Sequence, residues 1–284
     1  MRVHHLNCGT MRPPTERLIA GSGSLVRPGL LVAHCLAVET EGGIVLVDTG
    51  FGLESIKDPG RLLGPNRFFV RPILDPAETA VRQLQRLGLD RGDVRHVVLT
   101  HMDFDHAAGL ADFPDATVHV LRDEHDSAMR RATANEKGRY VPAQWAHGPR
   151  WSIHERDGER WNGFESVRAL GGGDEPEILL IPLFGHTRGH CAVAVQVDDG
   201  WQLHCGDAYF FHGEMDVTAP RCTPGLSMFQ ELVAVDRKAR RANRDRLLEL
   251  ARRERGATLR MFCAHDPTEL AGMDERAAEA VASA

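Results

Sequence analysis

The sequence predicts one α/β domain, spanning residues 1–284, on three observations. Apolar runs of strand length alternate with segments of helical period, no linker, repeat or low-complexity tract divides the chain, and the composition is that of an ordinary globular protein. With 42% hydrophobic and 26% charged residues, a chain of 284 residues can bury a sizeable core.

Each element follows from its own pattern. The segment "RVHHLN" near the N-terminus reads as a strand, and "LLVAHCLAVETEGGIVLVDTG" as a hairpin that turns at Glu41-Gly42-Gly43 and delivers Asp48 to a loop. Residues 51–76 carry four prolines and no clear period, so a long surface excursion is expected there. Ala80, Val81, Leu84 and Leu87 then fall on one helical face, opened by Asp75-Pro76 and stopped by Gly88. Strands are expected at 94–100 and 116–121, and after them the polar helix "RDEHDSAMRRATA". From about 134 to 172 the pattern dissolves and little regular structure is expected. Strands return at 177–183, 191–197 and 201–207, helices at 226–236 and 241–254, and a last strand at 258–266.

Composition also sets aside some partners. A net charge of −6 offers no basic field for nucleic acid or an anionic membrane surface, and no apolar run reaches the roughly 18 residues of a membrane span. No apolar signal segment opens the sequence, so a cytoplasmic protein acting on a small molecule is expected. Cys8, Cys35, Cys191, Cys205, Cys222 and Cys263 are scattered without a CxxC pair and read as buried thiols.

Fifteen histidines are many for this length, and their placement is informative. "HVVLT" leads to His101, Asp103, Asp105 and His106, "ILLIPLFG" to His186, "WQLHCG" to Asp207 and "LRMFCA" to His265. Each candidate ligand therefore stands just past an apolar strand, where a rigid scaffold presents functional groups. Within His-x-Asp-x-Asp-His, residues two apart on an extended segment face the same way. Taken singly, His186 or His265 reads more readily as a hydrogen-bonded strand-end residue; the combination in this order carries the inference.

The stretches "LVDTG", "THMDFDHAAGL", "FGHTRGH", "CGDAYF" and "FCAHD" resemble the five ordered motifs of the metallo-β-lactamase superfamily. The likeness spans about residues 30–266 and is nearest to the acyl-homoserine lactonase-like and glyoxalase II-like hydrolases. It implies an αβ/βα four-layer sandwich, two mixed β-sheets flanked by helices, with a dinuclear metal site at one edge. Carried over, His101, Asp103 and His186 would hold one divalent ion, Asp105, His106 and His265 a second, and Asp207 would bridge them. Asp48 would orient a histidine ligand and His190 would be a structural partner. Asp105, Asp207 and Tyr209 would be the catalytic residues. Tyr209 stands two positions past Asp207, one earlier than the tyrosine of the lactonase-like pattern, and could equally be a half-buried strand-end aromatic.

The family's usual second histidine is Asp103 here, a hard anionic oxygen in place of a neutral nitrogen. With two divalent ions, three carboxylates and a hydroxide, the centre becomes neutral, one positive charge fewer than usual. Zinc is the first expectation, with iron or manganese opened by Asp103. The resemblance implies hydrolysis of a lactone or another carboxylic ester. A diiron oxidoreductase and a catalytically inactive metal-binding module are the alternatives, the former weakened because flavodiiron relatives carry an appended flavin domain and 19 residues remain after His265. Phe68 and Phe69 in the first excursion, and Tyr140, Trp145 and His147 in the second, are candidate pocket residues. The apolar 51–76 excursion could equally serve a homodimer contact.

Overall fold

A computed structural model describes residues 2–172, 175–254 and 258–273. Its first sheet places six strands side by side in chain order: β1 (Arg2–Asn7), β2 (His34–Thr40), β3 (Gly43–Val47), β4 (Val94–Val98), β5 (Thr117–Leu121) and β6 (Arg150–His154). β1, β2 and β3 pair antiparallel, and β3 to β6 pair parallel. A short ribbon, β7 (Arg160–Trp161) and β8 (Phe164–Glu165), leads to the second sheet. That sheet comprises β9 (Val167–Gly172), β10 (Glu175–Pro182), β11 (Cys191–Val197), β12 (Gly200–His204) and β13 (Leu259–Phe262), in the order β13-β12-β11-β10-β9. All its pairs are antiparallel except β12 with β13.

The period of two explains how the sheets stack. Leu36 and Val38 of β2, with Val45 and Val47 of β3, pack against Ile178, Leu180, Val193 and Val195 of the second sheet. The alternate residues Cys35, Ala37, Ile44 and Leu46 face the other way, onto Ala80, Val81 and Leu84 of the helix Ala80–Arg86. Ala192 and Ala194 likewise leave the interface to meet Leu247 and Leu250 of the helix Arg237–Arg253. The layers are therefore helix, sheet, sheet, helix. A one-residue slip of β11 would exchange its inward valines for alanines and lose close packing on both faces.

Several regions depart from expectation. The 51–76 excursion folds into short helices at Leu53–Lys57, Pro59–Leu63 and Arg67–Val70. The 134–172 stretch is not sparse: it holds a helix, Ala134–Arg139, and the edge strands β6 and β9. β6 is half-buried along most of its length, so it lacks the apolar signature of the central strands. A helix at Glu16–Ala20, with no buried residue, is unmarked by any period. The two C-terminal helices, Pro224–Val233 and Arg237–Arg253, start earlier than their apolar residues suggest, because Thr223 and Asp236 cap them. The expected strand 258–266 is β13 at its start, and its last residues form the loop that carries His265. All six cysteines are free thiols, and among the described residues no helix is long and apolar enough to cross a membrane.

β10 and β12 both pair antiparallel with β11 and so run the same way, with β13 parallel to β12. Their C-terminal ends, and those of β3 and β4, open onto one edge of the sandwich.

Candidate metal centre

Five segments just past strand ends meet there: Asp48 after β3, His101 to His106 after β4, His186 after β10, Asp207 after β12 and His265 after β13. His101, Asp103, His186 and Asp207 each offer a ligand atom within 4.8 Å of the others, and Asp105, His106 and His265 form a second such group. All seven are buried.

Asp207 joins the two groups. Its Oδ2 lies 3.2 Å from His186 Nε2 and 3.7 Å from His101 Nε2, while Oδ1 lies 3.0 Å from His265 Nε2 and 3.3 Å from His106 Nε2. His101 Nε2, His106 Nε2, Asp103 Oδ1 and Asp207 Oδ1 are buried with no hydrogen-bond partner. Each such orphan costs about 1–3 kcal/mol, which coordination of a cation would remove. Imidazoles with carboxylates suit divalent ions, so the residues fit the group.

The ring orientations are set from behind. His106 Nδ1 donates to Asp48 Oδ2 at 2.7 Å and His265 Nδ1 donates to the Val32 carbonyl at 2.7 Å, which leaves each Nε2 for the centre. Asp48 has a positive φ of 56°, and Thr100 holds it there through its N–H (2.8 Å) and hydroxyl (2.7 Å). His190 donates through Nδ1 to the Leu183 carbonyl and accepts the Asp207 N–H on Nε2 at 2.9 Å. Gly206, just before Asp207, has φ +52°, and a Cβ there would stand 2.6 Å from His190 Nε2.

Charge is balanced within the site. Burial pushes the Asp207 carboxyl up, but His265, His186, His106 and His101 hold it well below the usual range. Burial takes His101 down to about 4, so its imidazole is neutral. Asp105 is pushed up, chiefly by burial.

Two charged residues that the sequence did not mark complete the centre. Arg139 is 6% exposed; its Nη1 lies 3.3 Å from Asp103 Oδ2 and donates to the His186 carbonyl at 3.0 Å. Glu124, fully buried, accepts from the Met102 N–H (2.9 Å), the Tyr140 hydroxyl (3.0 Å), the Thr187 hydroxyl (2.6 Å) and the Gly189 N–H (3.0 Å). It thus ties the loop of His101 and Asp103 to the loop of His186.

A cavity of about 320 Å³ opens over the carboxylates. Asp103, Asp105, His186, Asp207 and His265 form its floor, Arg139 one side, and Phe69, Phe104, Phe210, Phe229 and Leu232 its apolar wall.

The sequence profile of the metallo-beta-lactamase superfamily matches residues 28–253. The chain belongs to that superfamily. It is 44% identical over 270 residues to a probable metallo-hydrolase, Rv2300c, of Mycobacterium tuberculosis, covering 94% of this chain and 81% of the relative. A shorter match, 29% over 134 residues, covers 45% of this chain and 49% of the N-acyl homoserine lactonase AttM of Rhizobium radiobacter. Among solved structures, an N-acyl homoserine lactone hydrolase with N-hexanoyl-L-homoserine at its catalytic metal centre superposes with a TM-score of 0.68 at 20% identity, over 94% of both chains. The dizinc lactonase AidC does so with a TM-score of 0.59 at 16% identity, over 93% of this chain and 87% of that one. These superpositions carry the fold, and the 44% relative places the chain among metallo-hydrolases of the superfamily.

Several expected site residues lie away from the centre. Tyr209 is fully buried among Leu203, Leu247 and Leu250, and its hydroxyl donates to Glu269 Oε1 at 2.9 Å. The next residue, Phe210, faces the site and stacks on His265 with centroids 5.0 Å apart. Of the expected pocket aromatics, Phe69 lines the cavity and stacks on Phe229. Phe68 is 69% exposed beneath the Arg67 guanidinium. Tyr140 and Trp145 are buried in the core behind the first sheet, and His147 is exposed; none of the three lines the cavity. Long side chains in an irregular segment gave no direction in the sequence, and Glu124 had nothing to set it apart from Asp123 and Asp126.

Proposed function

We propose that this metallo-hydrolase opens a lactone or cleaves another carboxylic ester at a centre of two divalent ions, zinc in the first instance and iron or manganese as alternatives. The observation that carries this reading is Asp207, whose two oxygens face two separate groups of imidazoles at the floor of an apolar cavity. His101, Asp103 and His186 would hold one ion, Asp105, His106 and His265 the other, with Asp207 shared. When bound, the ions supply Lewis acidity and make water nucleophilic at neutral pH.

The chain's own residues do the rest. Phe69, Phe210, Phe229 and Leu232 would hold an acyl chain or ring and exclude water, leaving the ester group over the carboxylates. Asp105 lines the cavity, so its carboxylate is placed to relay a proton from the attacking water to the departing alkoxide. Tyr209 takes no part. The lactonase names among the relatives support the choice of ester over phosphodiester. A panel of lactones, aryl esters, thioesters and phosphodiesters, assayed with zinc, manganese and iron, tests this. Turnover confined to carboxylic esters and lactones is expected; turnover of phosphodiesters alone would overturn it.

A further inference from the structure

Arg139 carries a charge that has been taken out of water. A guanidinium cannot shed its proton, so burial beside a cation-binding centre is unfavourable unless a carboxylate answers it. Asp103 is that carboxylate, 3.3 Å away. The same Nη1 donates to the carbonyl of His186, and Nη2 donates to the carbonyl of Val233 at the end of the helix Pro224–Val233. One guanidinium therefore fastens two residues of the first ligand group to each other and to a helix. Its hold on Asp103 is shared with His186 Nε2, 3.0 Å from the same oxygen, while Oδ1 is left without a partner.

A histidine at position 103 would take away the carboxylate that Arg139 pairs with and leave the guanidinium against imidazoles, with Glu124 acting on it only from farther off. We propose that Asp103 and Arg139 are a matched unit: Arg139 is the positioning residue for the Asp103 carboxylate and returns to the centre the positive charge that a carboxylate at this position removes. The proposal goes beyond the hydrolase reading and does not depend on any substrate.

The test is a double-mutant cycle on the purified full chain, read as melting temperature after chelator treatment and as zinc affinity by competition with a chromophoric chelator. In the native background, Arg139→Met is expected to lower the melting temperature by about 5 °C or more, because it strands a buried carboxylate. In the Asp103→His background the same change is expected to raise it, and to tighten zinc binding about tenfold relative to Asp103→His alone. If Asp103→His does not fold, Asp103→Asn keeps the shape without the charge, and Arg139→Met must again be neutral or stabilising in it. Equal effects of Arg139→Met in native and substituted backgrounds, in sign and size, would overturn the proposal. Neither readout needs catalysis, so failure of the hydrolase assay leaves this result standing, and the reverse.

Discussion

Asp207 gives its amide, not its carboxylate, to His190: the N–H donates to Nε2 at 2.9 Å, and both carboxylate oxygens stay free for the two ligand groups. His190 is itself fixed by the Leu183 carbonyl, so both its ring nitrogens are engaged and it aims Asp207 from behind. His190→Ala should therefore lower zinc affinity about 10–100-fold while every ligand is still present. Competition with a chelator measures this, and unchanged affinity would deny His190 that part.

Glu124 should matter more for folding than for the reaction. Glu124→Ala leaves four donors, from Met102, Tyr140, Thr187 and Gly189, without their acceptor. A loss of about 3 kcal/mol or more is expected in denaturant unfolding of chelator-treated protein.

Tyr209→Phe removes a hydroxyl that serves Glu269 and not the cavity. Hydrolysis should keep its wild-type kcat and KM, with stability lowered by about 1 kcal/mol. A large fall in kcat would return Tyr209 to the site.

Acid sensitivity should come partly from histidines away from the centre. Burial takes His5 down to about 4 and His119 down to about 3, so both are neutral in the folded chain. An unfolded histidine protonates near pH 6.5, so the unfolded state binds more protons below that value and stability falls as pH drops from about 6.5 to 4. His5→Leu should flatten this dependence between those limits in chelator-treated protein; an unchanged slope would exclude His5 as a source.

How much of this was legible in the sequence depends on the kind of signal. His101, His106, His186, Asp207 and His265 stand just past apolar strands, and a strand fixes the direction in which the chain leaves it, so their meeting could be read. The two-sheet stack was implied by the family resemblance and not by the strands themselves, because Cys35, Leu36, Ala192 and Val193 are all apolar and both faces of these strands are buried. Arg139 and Glu124 could not be read, because their partners lie far along the chain and several are backbone groups that any residue carries. Tyr209 shows the limit most clearly. In the loop past β12 a one-residue offset moves a side chain from the cavity into the core, and the position opening to the cavity holds Phe210.

Zinc titration of chelator-treated protein, monitored by proton release from a lactone, measures how many ions the hydrolysis needs. Turnover is expected to rise to a limit near two equivalents of zinc per chain and to be lost in Asp207→Asn. Full turnover without metal, or none of any lactone or ester with both equivalents bound, would contradict it.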